Sequence, residues 1–248
     1  MLFIDEIKYD GGLPEDYYAT NIPAVKFLDS VGSLKLNKSV TFFVGENGTG
    51  KSTLLEAVAV ACGFNAEGGT RNFNFFTRET HSELCNHISI MTRSRPKDGF
   101  FLRAESLYNL ATNIEKMDAA PSFSPPVINS YGSVSLHNQS HGESFLSIVQ
   151  NRFGGNGLYI LDEPEAALSP MRLLTLMSEI DTLVKNNSQF IIATHSPILM
   201  AFPDAEIFEF SESGIEPTDY KETQHYQVTK TFLDNPNRYF KYLFDDIG

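Results

Sequence analysis

Residues 45–52, Gly-Glu-Asn-Gly-Thr-Gly-Lys-Ser, satisfy the spacing G-x-x-x-x-G-K-[ST], which lets backbone N–H groups close around phosphate oxygens. The chemistry is that of a nucleoside triphosphate. Lys51 would reach the terminal phosphates, Ser52 would offer its hydroxyl to Mg²⁺, and the start of a helix would present its positive end to the anion. Glu46, Asn47, Gly48, Thr49, Gly50, Lys51, Ser52 and Thr53 are therefore the candidate ATP-binding residues. The alternative is a glycine-rich turn with Lys51 in water. The flanking residues weigh against it, because Ser39–Val44 is a β-branched and aromatic run suited to a buried strand. After the loop, Leu54, Leu55, Val58 and Ala59 fall on one face of a helix that stops near Gly63.

A second constellation sits at the end of another apolar run, Leu158-Tyr159-Ile160-Leu161-Asp162-Glu163-Pro164. Two adjacent carboxylates at a strand end can divide two roles. Asp162 would hold Mg²⁺ together with Ser52, and Glu163 would orient or deprotonate the attacking water. A plain acid pair capping the next turn is the alternative, outweighed by the phosphate loop upstream. His195 ends a third run, Phe190–Ala193 followed by Thr194, where an imidazole can meet a phosphate oxygen or the water. Finally Gln139-Ser140-His141-Gly142-Glu143-Ser144 precedes an apolar helical pattern at Phe145, Ile148, Val149 and Phe153. Ser140 and Glu143 make a Ser-x-x-Glu capping box, and the capped N-terminus is also a donor-rich place for a phosphate.

These residues must be positioned by alternating strands and helices. Leu158–Leu161 and Phe190–Ala193 read as strands around an amphipathic helix, Met171–Lys185, which implies a parallel sheet. Ala205–Phe210 with Gly214–Pro217 reads as a closing hairpin, and Val228–Phe244 as a terminal helix interrupted near Pro236. Between loop and capping box, His87–Arg93 and Phe100–Arg103 flank the turn residues 95–99 and read as a hairpin. Leu107, Leu110, Ala111 and Ile114 mark a helix. The fold class is α/β, with a mostly parallel central sheet, flanking helices, an antiparallel β subregion and a small helical lobe.

The composition agrees with one domain over 1–248, residues 64–130 forming a β-hairpin and helical insert. A chain of 248 residues with 42% hydrophobic content can bury a core, and the composition argues against disorder. A formal net charge of -12 repels nucleic acid and anionic membranes as a whole, so a polyanion needs a local patch. The one such patch is 71–103, with Arg71, Arg78, Arg93, Arg95, Lys97 and Arg103, although a merely solvated face is the favoured reading of it. Cys62 and Cys85 are too few for a disulfide framework and read as free thiols. His81, Cys85 and His87 lack a matching second cluster for zinc. No stretch reaches the roughly 18 apolar residues that span a bilayer, so the expectation is a cytoplasmic protein without membrane insertion.

In order and spacing, the phosphate loop, the 139–144 segment, the acidic pair and His195 resemble the ABC-type ATPases, the superfamily of transporter nucleotide-binding domains, SMC proteins and RecF-like ATPases. The runs 162–170 and 193–197 look like a bacterial group of stand-alone "predicted AAA-family ATPases". The resemblance covers nearly the whole chain. It implies a homodimer that sandwiches two ATP molecules, with Ser140, Gly142 and Glu143 acting on the nucleotide of the other copy. It also implies ATP hydrolysis with ATP and Mg²⁺, Glu163 and His195 being the catalytic residues and Ser52 and Asp162 the metal-binding ones. The work done would be to switch a protein partner such as a nuclease, or a nucleic acid met through 71–103, in DNA maintenance or defence. A transporter subunit and an ATP-gated binding module that does not hydrolyse are the alternatives. The chain departs from the family at His141 and Glu143 and lacks an aspartate in 167–170. The family's strand-end glutamine is absent from 100–105, where either Arg103 or Glu105 stands in or the segment is an ordinary strand-to-helix junction, and Tyr17, Tyr18 and Phe27 are the aromatics available to stack on adenine, core packing being the alternative for each.

Overall fold

The computed structural model describes residues 2–71, 82–119, 121 and 125–244. The chain begins with β1 (Ile4–Tyr9), α1 (Pro23–Val31), β2 (Ser33–Lys35), β3 (Val40–Gly45) and α2 (Lys51–Ala61). The middle holds β4 (Ile88–Thr92), β5 (Asp98–Arg103), α3 (Leu107–Ala119) and α4 (His141–Arg152). There follow β6 (Gly157–Asp162), α5 (Pro170–Lys185), β7 (Gln189–Ala193), the one-turn α6 (Pro197–Met200), β8 (Glu206–Ser211), β9 (Gly214–Thr218), α7 (Gln224–Asp234) and α8 (Pro236–Phe244).

A six-stranded sheet in the order β5-β6-β7-β3-β8-β9 forms the centre. All its pairings are parallel except β8 with β9. Because successive side chains point to opposite faces, the unbroken apolar runs of β3, β5, β6 and β7 feed two cores at once. Phe42, Phe100, Leu102, Tyr159, Leu161 and Phe190 pack with α3, α4 and α5 on one side. Phe43, Phe101, Ile160 and Ile191 pack with α1 and α2 on the other. Each of these buried side chains contributes about 1.5–3 kcal/mol.

The second sheet is antiparallel, ordered β2-β1-β4, and closes over α2. Gln189 joins the two sheets. Its buried side-chain carbonyl accepts from the N–H groups of Phe3 (2.7 Å) and Ile4 (2.8 Å), and its amide donates to the Ile4 carbonyl (2.8 Å).

The expected pairing of 87–93 with 100–103 is not made. β4 pairs with β1 in the small sheet, whereas β5 pairs in parallel with β6 in the large one, so the turn between them carries the chain from one sheet to the other. The reason lies in patterning: 88–92 exposes one side, while Gly99–Leu102 is buried on both faces and fits only a sheet covered on both sides. The closing hairpin is present as β8 and β9. The terminal helix is two helices broken at Pro236, the first starting at Gln224 after the cap residue Thr223. Cys62 and Cys85 are free thiols. His81 lies outside the described residues, among which no group of three or more His, Cys, Asp or Glu is placed to hold a metal ion. No described helix is long and apolar enough to cross a membrane.

Candidate functional site

Parallel pairing puts the carboxyl ends of β5, β6, β7 and β3 on one edge of the sheet, where α/β folds gather ligand contacts. The phosphate loop leaves β3 at Gly45, whose φ of +128° goes with a very close neighbour: an added Cβ would sit 2.1 Å from the carbonyl oxygen of Phe210 in β8. The loop is drawn into a tight turn from within. The Glu46 carbonyl accepts from both the Thr49 hydroxyl and the Lys51 ammonium, each at 2.8 Å. Lys51 is buried, and burial lowers its pKa against the opposing pull of Glu163 and Asp162. Gly50 in the left-handed conformation starts α2 without a side-chain cap, so the first-turn N–H groups, those of Lys51, Ser52 and Thr53, are left for an anion. Asn47, Gly48 and Thr49 line a pocket shared with Glu209, Glu212 and Gln224.

The acidic pair reaches the same edge. Ser52 donates its hydroxyl to Asp162 (3.0 Å), and Arg103 at the end of β5 pairs with the other carboxylate oxygen (3.3 Å). Burial pushes the Asp162 carboxyl up to about 6, with Arg103 and Ser52 pulling it back. A hydroxyl beside a buried carboxylate is a hard-oxygen donor set. It suits Mg²⁺ that brings its remaining ligands as water and phosphate. Arg103 also pairs with Glu56 (2.6 Å) and Glu105 (2.5 Å), and a cleft of about 250 Å³ is lined by Ser52, Arg103, Glu105, His141, Asp162 and Glu163.

Glu163 adopts φ +48°, a left-handed conformation rare for a side chain of this size, and its N–H donates to the Ala193 carbonyl (3.0 Å). The turn brings its carboxylate to 3.6 Å from His195 Nε2. His195 is held by Glu165, whose buried carboxylate accepts from the Thr194 hydroxyl (2.8 Å) and from the His195 N–H. His195 Nδ1 lies 2.9 Å from His225 Nε2 of α7. Burial, reinforced by Lys51, holds both imidazoles below their ordinary pKa. Glu165, His225 and Gln224, which donates to the Glu46 carboxylate (3.2 Å), are site residues that no motif in the sequence announces.

The 139–144 segment forms the expected capping box, with Ser140 N donating to Glu143 (2.9 Å) and Glu143 N to Ser140 Oγ (3.4 Å). Arg172 of α5 adds bonds to Ser140 Oγ (3.2 Å) and Glu143 (3.1 Å). Ser140→Ala is expected to cost about 1 kcal/mol of stability through the lost cap, read as a lower urea midpoint with an unchanged slope. The cap itself leaves Gly142 unexplained, but packing explains it: an added Cβ would meet the Ala167 carbonyl oxygen at 2.8 Å and Arg172 Nη1 at 2.6 Å. Space for its own α5, and not only room for a phosphate, requires glycine there. His141 reaches the Ala104 carbonyl (3.0 Å) and so lines the cleft that holds its own chain's Ser52 and Glu163.

Several of the described cations of 71–103 are engaged within the chain. Arg103 is spent in the site, Arg93 pairs with Asp5 (2.7 Å), Arg71 lies over the Phe64 ring (5.3 Å), and Arg78 is outside the described residues. Of the aromatics, Phe27 packs beside Gly214, and Tyr17 lies against Tyr18 in a tilted contact at 4.7 Å.

Residues 26–106 match a family model described as an AAA domain, and 134–201 match one described as "AAA domain, putative AbiEii toxin, Type IV TA system". Among curated proteins none matches. Among solved structures, the chain is similar to MJ1267, an ATP-binding cassette of an ABC transporter, at 15% identity and TM-score 0.53, over 98% of this chain and 99% of that one. It is also similar to a "putative metal-chelate type ABC transporter" in an inward-facing conformation, at 12% identity and TM-score 0.51, over 92% and 88%. Fold and loop define a P-loop nucleotide-binding domain. AAA-domain matches cover both the loop-bearing and the histidine-bearing stretches, and the fold is that of the ATP-binding cassettes of ABC transporters.

Proposed function

We propose that residues 1–248 act as one ABC-type ATPase domain that binds MgATP on Glu46–Thr53 and hydrolyses it, two copies closing over two nucleotides to switch a partner. The observation that carries this reading is the convergence of Lys51, Ser52, Asp162, Glu163 and His195 on one sheet edge from three strands. Lys51 would neutralise the terminal phosphates, and the α2 N–H groups would cradle them. Ser52 and Asp162 would hold Mg²⁺, which would supply neutralisation of the phosphate charge. Water attacks the γ-phosphorus, Glu163 accepts its proton, and the bond to the β-phosphate oxygen breaks to leave ADP and phosphate. His195 would steady the γ-phosphate or the water. Ser140, Gly142 and Glu143, exposed or backed by Arg172 at a helix start, would serve the second copy's nucleotide.

The partner favoured is a protein. The chain is acidic overall, and among the described cations of 71–103 Arg71, Arg93 and Arg103 each have a partner within the chain. The family description of 134–201 supports a stand-alone role in defence over transport. Light scattering of the wild-type chain with a non-hydrolysable ATP analogue and Mg²⁺ is expected to give the mass of two chains, and phosphate release from ATP should stop on chelation of Mg²⁺. A chain that neither binds the analogue nor releases phosphate would overturn the reading.

A further inference from the structure

We propose that His225 is a positioning residue that fixes His195 in the tautomer carrying its proton on Nε2, directed at Glu163 and the phosphate end of the site. The inference rests on the reading of His195 given above and adds a residue from α7 to it. His225 stands in the first turn of α7, which is pinned on three sides. Thr223 donates its hydroxyl to the Tyr220 carbonyl (2.8 Å), the Gln224 N–H donates to Glu209 (3.1 Å), and the Gln224 amide donates to Glu46 of the phosphate loop (3.2 Å). The backbone that carries the imidazole is therefore fixed by the cap, β8 and the loop.

Two neutral rings 2.9 Å apart share one proton, and only two arrangements exist. If His195 Nδ1 were the donor, its Nε2 would turn a lone pair toward the Glu163 carboxylate 3.6 Å away. His225 Nδ1 would then carry a buried N–H, and that atom has no hydrogen-bond partner. If His225 Nε2 is the donor, His195 Nε2 carries an N–H facing the carboxylate, and His225 Nδ1 keeps only a lone pair. The second arrangement removes the repulsion and replaces an orphaned donor by an orphaned acceptor, which folded proteins tolerate better. A charged ring is disfavoured on both sides. The groups facing His195 are Lys51, Glu163 and Glu165, and those facing His225 are Lys51, Glu46 and Glu209. Burial and Lys51 outweigh the acids, and the positive end of α7 adds to the effect on His225. His195 Nε2 is itself buried without a hydrogen bond, with the Glu163 carboxylate at 3.6 Å as the acceptor it faces.

The tautomer is read directly from ¹⁵N-histidine NMR spectra of the full chain, with His195 and His225 assigned from His→Gln variants. The expected result is a neutral His195 with a protonated Nε2 and a bare Nδ1, and loss of that preference in His225→Leu. A His195 protonated on Nδ1, or unchanged by His225→Leu, would overturn the inference whether or not the chain hydrolyses ATP. In steady-state ATPase assays, His225→Leu should lower kcat about tenfold or more with KM for ATP nearly unchanged. His225→Gln, whose amide N–H can replace Nε2–H, should recover most of it. Turnover of His225→Leu equal to wild type, with His195→Ala inactive, rejects the positioning role. Full turnover in His195→Ala rejects the reading of His195 itself and leaves the spectra to decide the tautomer.

Discussion

Lys51→Ala is expected to weaken MgATP binding about a hundredfold or more, measured by titration calorimetry. A charge-assisted hydrogen bond contributes about 1.5–3 kcal/mol, and the ammonium would make such bonds to two phosphates. Among the described residues no other cation is arranged to replace it: Arg103, which lines the cleft, is held by Glu56, Glu105 and Asp162. The fold should survive, because the position opens α2 and alanine is the strongest helix former. The Glu46 carbonyl that accepts from the ammonium in the free protein also keeps its bond from the Thr49 hydroxyl. Unchanged ATP affinity in a folded variant would remove the phosphate-loop assignment.

Glu163→Gln is expected to separate binding from turnover. The amide keeps the shape and the backbone N–H bond to Ala193 but cannot accept the proton of the attacking water. Losing a positioned general base costs about 10² to 10⁴ in kcat, while ATP affinity should stay within about twofold of wild type. Since the nucleotide is no longer consumed, the variant with ATP should elute from size exclusion as a stable dimer. Wild-type turnover would show that Glu163 is not the catalytic carboxylate. A monomer that nevertheless binds ATP tightly would count against the sandwich.

The site was largely legible in the sequence because its parts are local: a loop motif between an apolar run and a helical face, an acid pair ending one strand, a histidine just past another. Parallel pairing then brings them together without further instruction. The stretch 87–103 misleads for a physical reason. Turn residues at 95–99 suggest a reversal, yet Ile88-Ser89-Ile90 alternates while Phe100-Phe101-Leu102 does not, and that difference assigns the two strands to different sheets. Helix α1 lies hidden among short apolar runs, although Pro23 at its first turn and the left-handed Gly32 at its end are ordinary boundary signals. Nothing local points to His225 or Glu165 as partners of His195. The first meets it through the packing of α7, the second through a bend that turns 163–166 back toward β7, and neither contact has a period or a motif.

The close approach of Gly45 to Phe210 ties the loop to a late part of the chain. The phosphate-loop motif is complete in the chain by Ser52, but β3 lies between β7 and β8, and the loop's first residue is paired with Phe210. The turn that carries the proposed nucleotide site is therefore backed by a strand about 160 residues further along the chain, and the expected result is that a chain truncated before β8 does not bind ATP in titration calorimetry. A nucleotide bound on the loop would in turn favour the docked pair of β3 and β8.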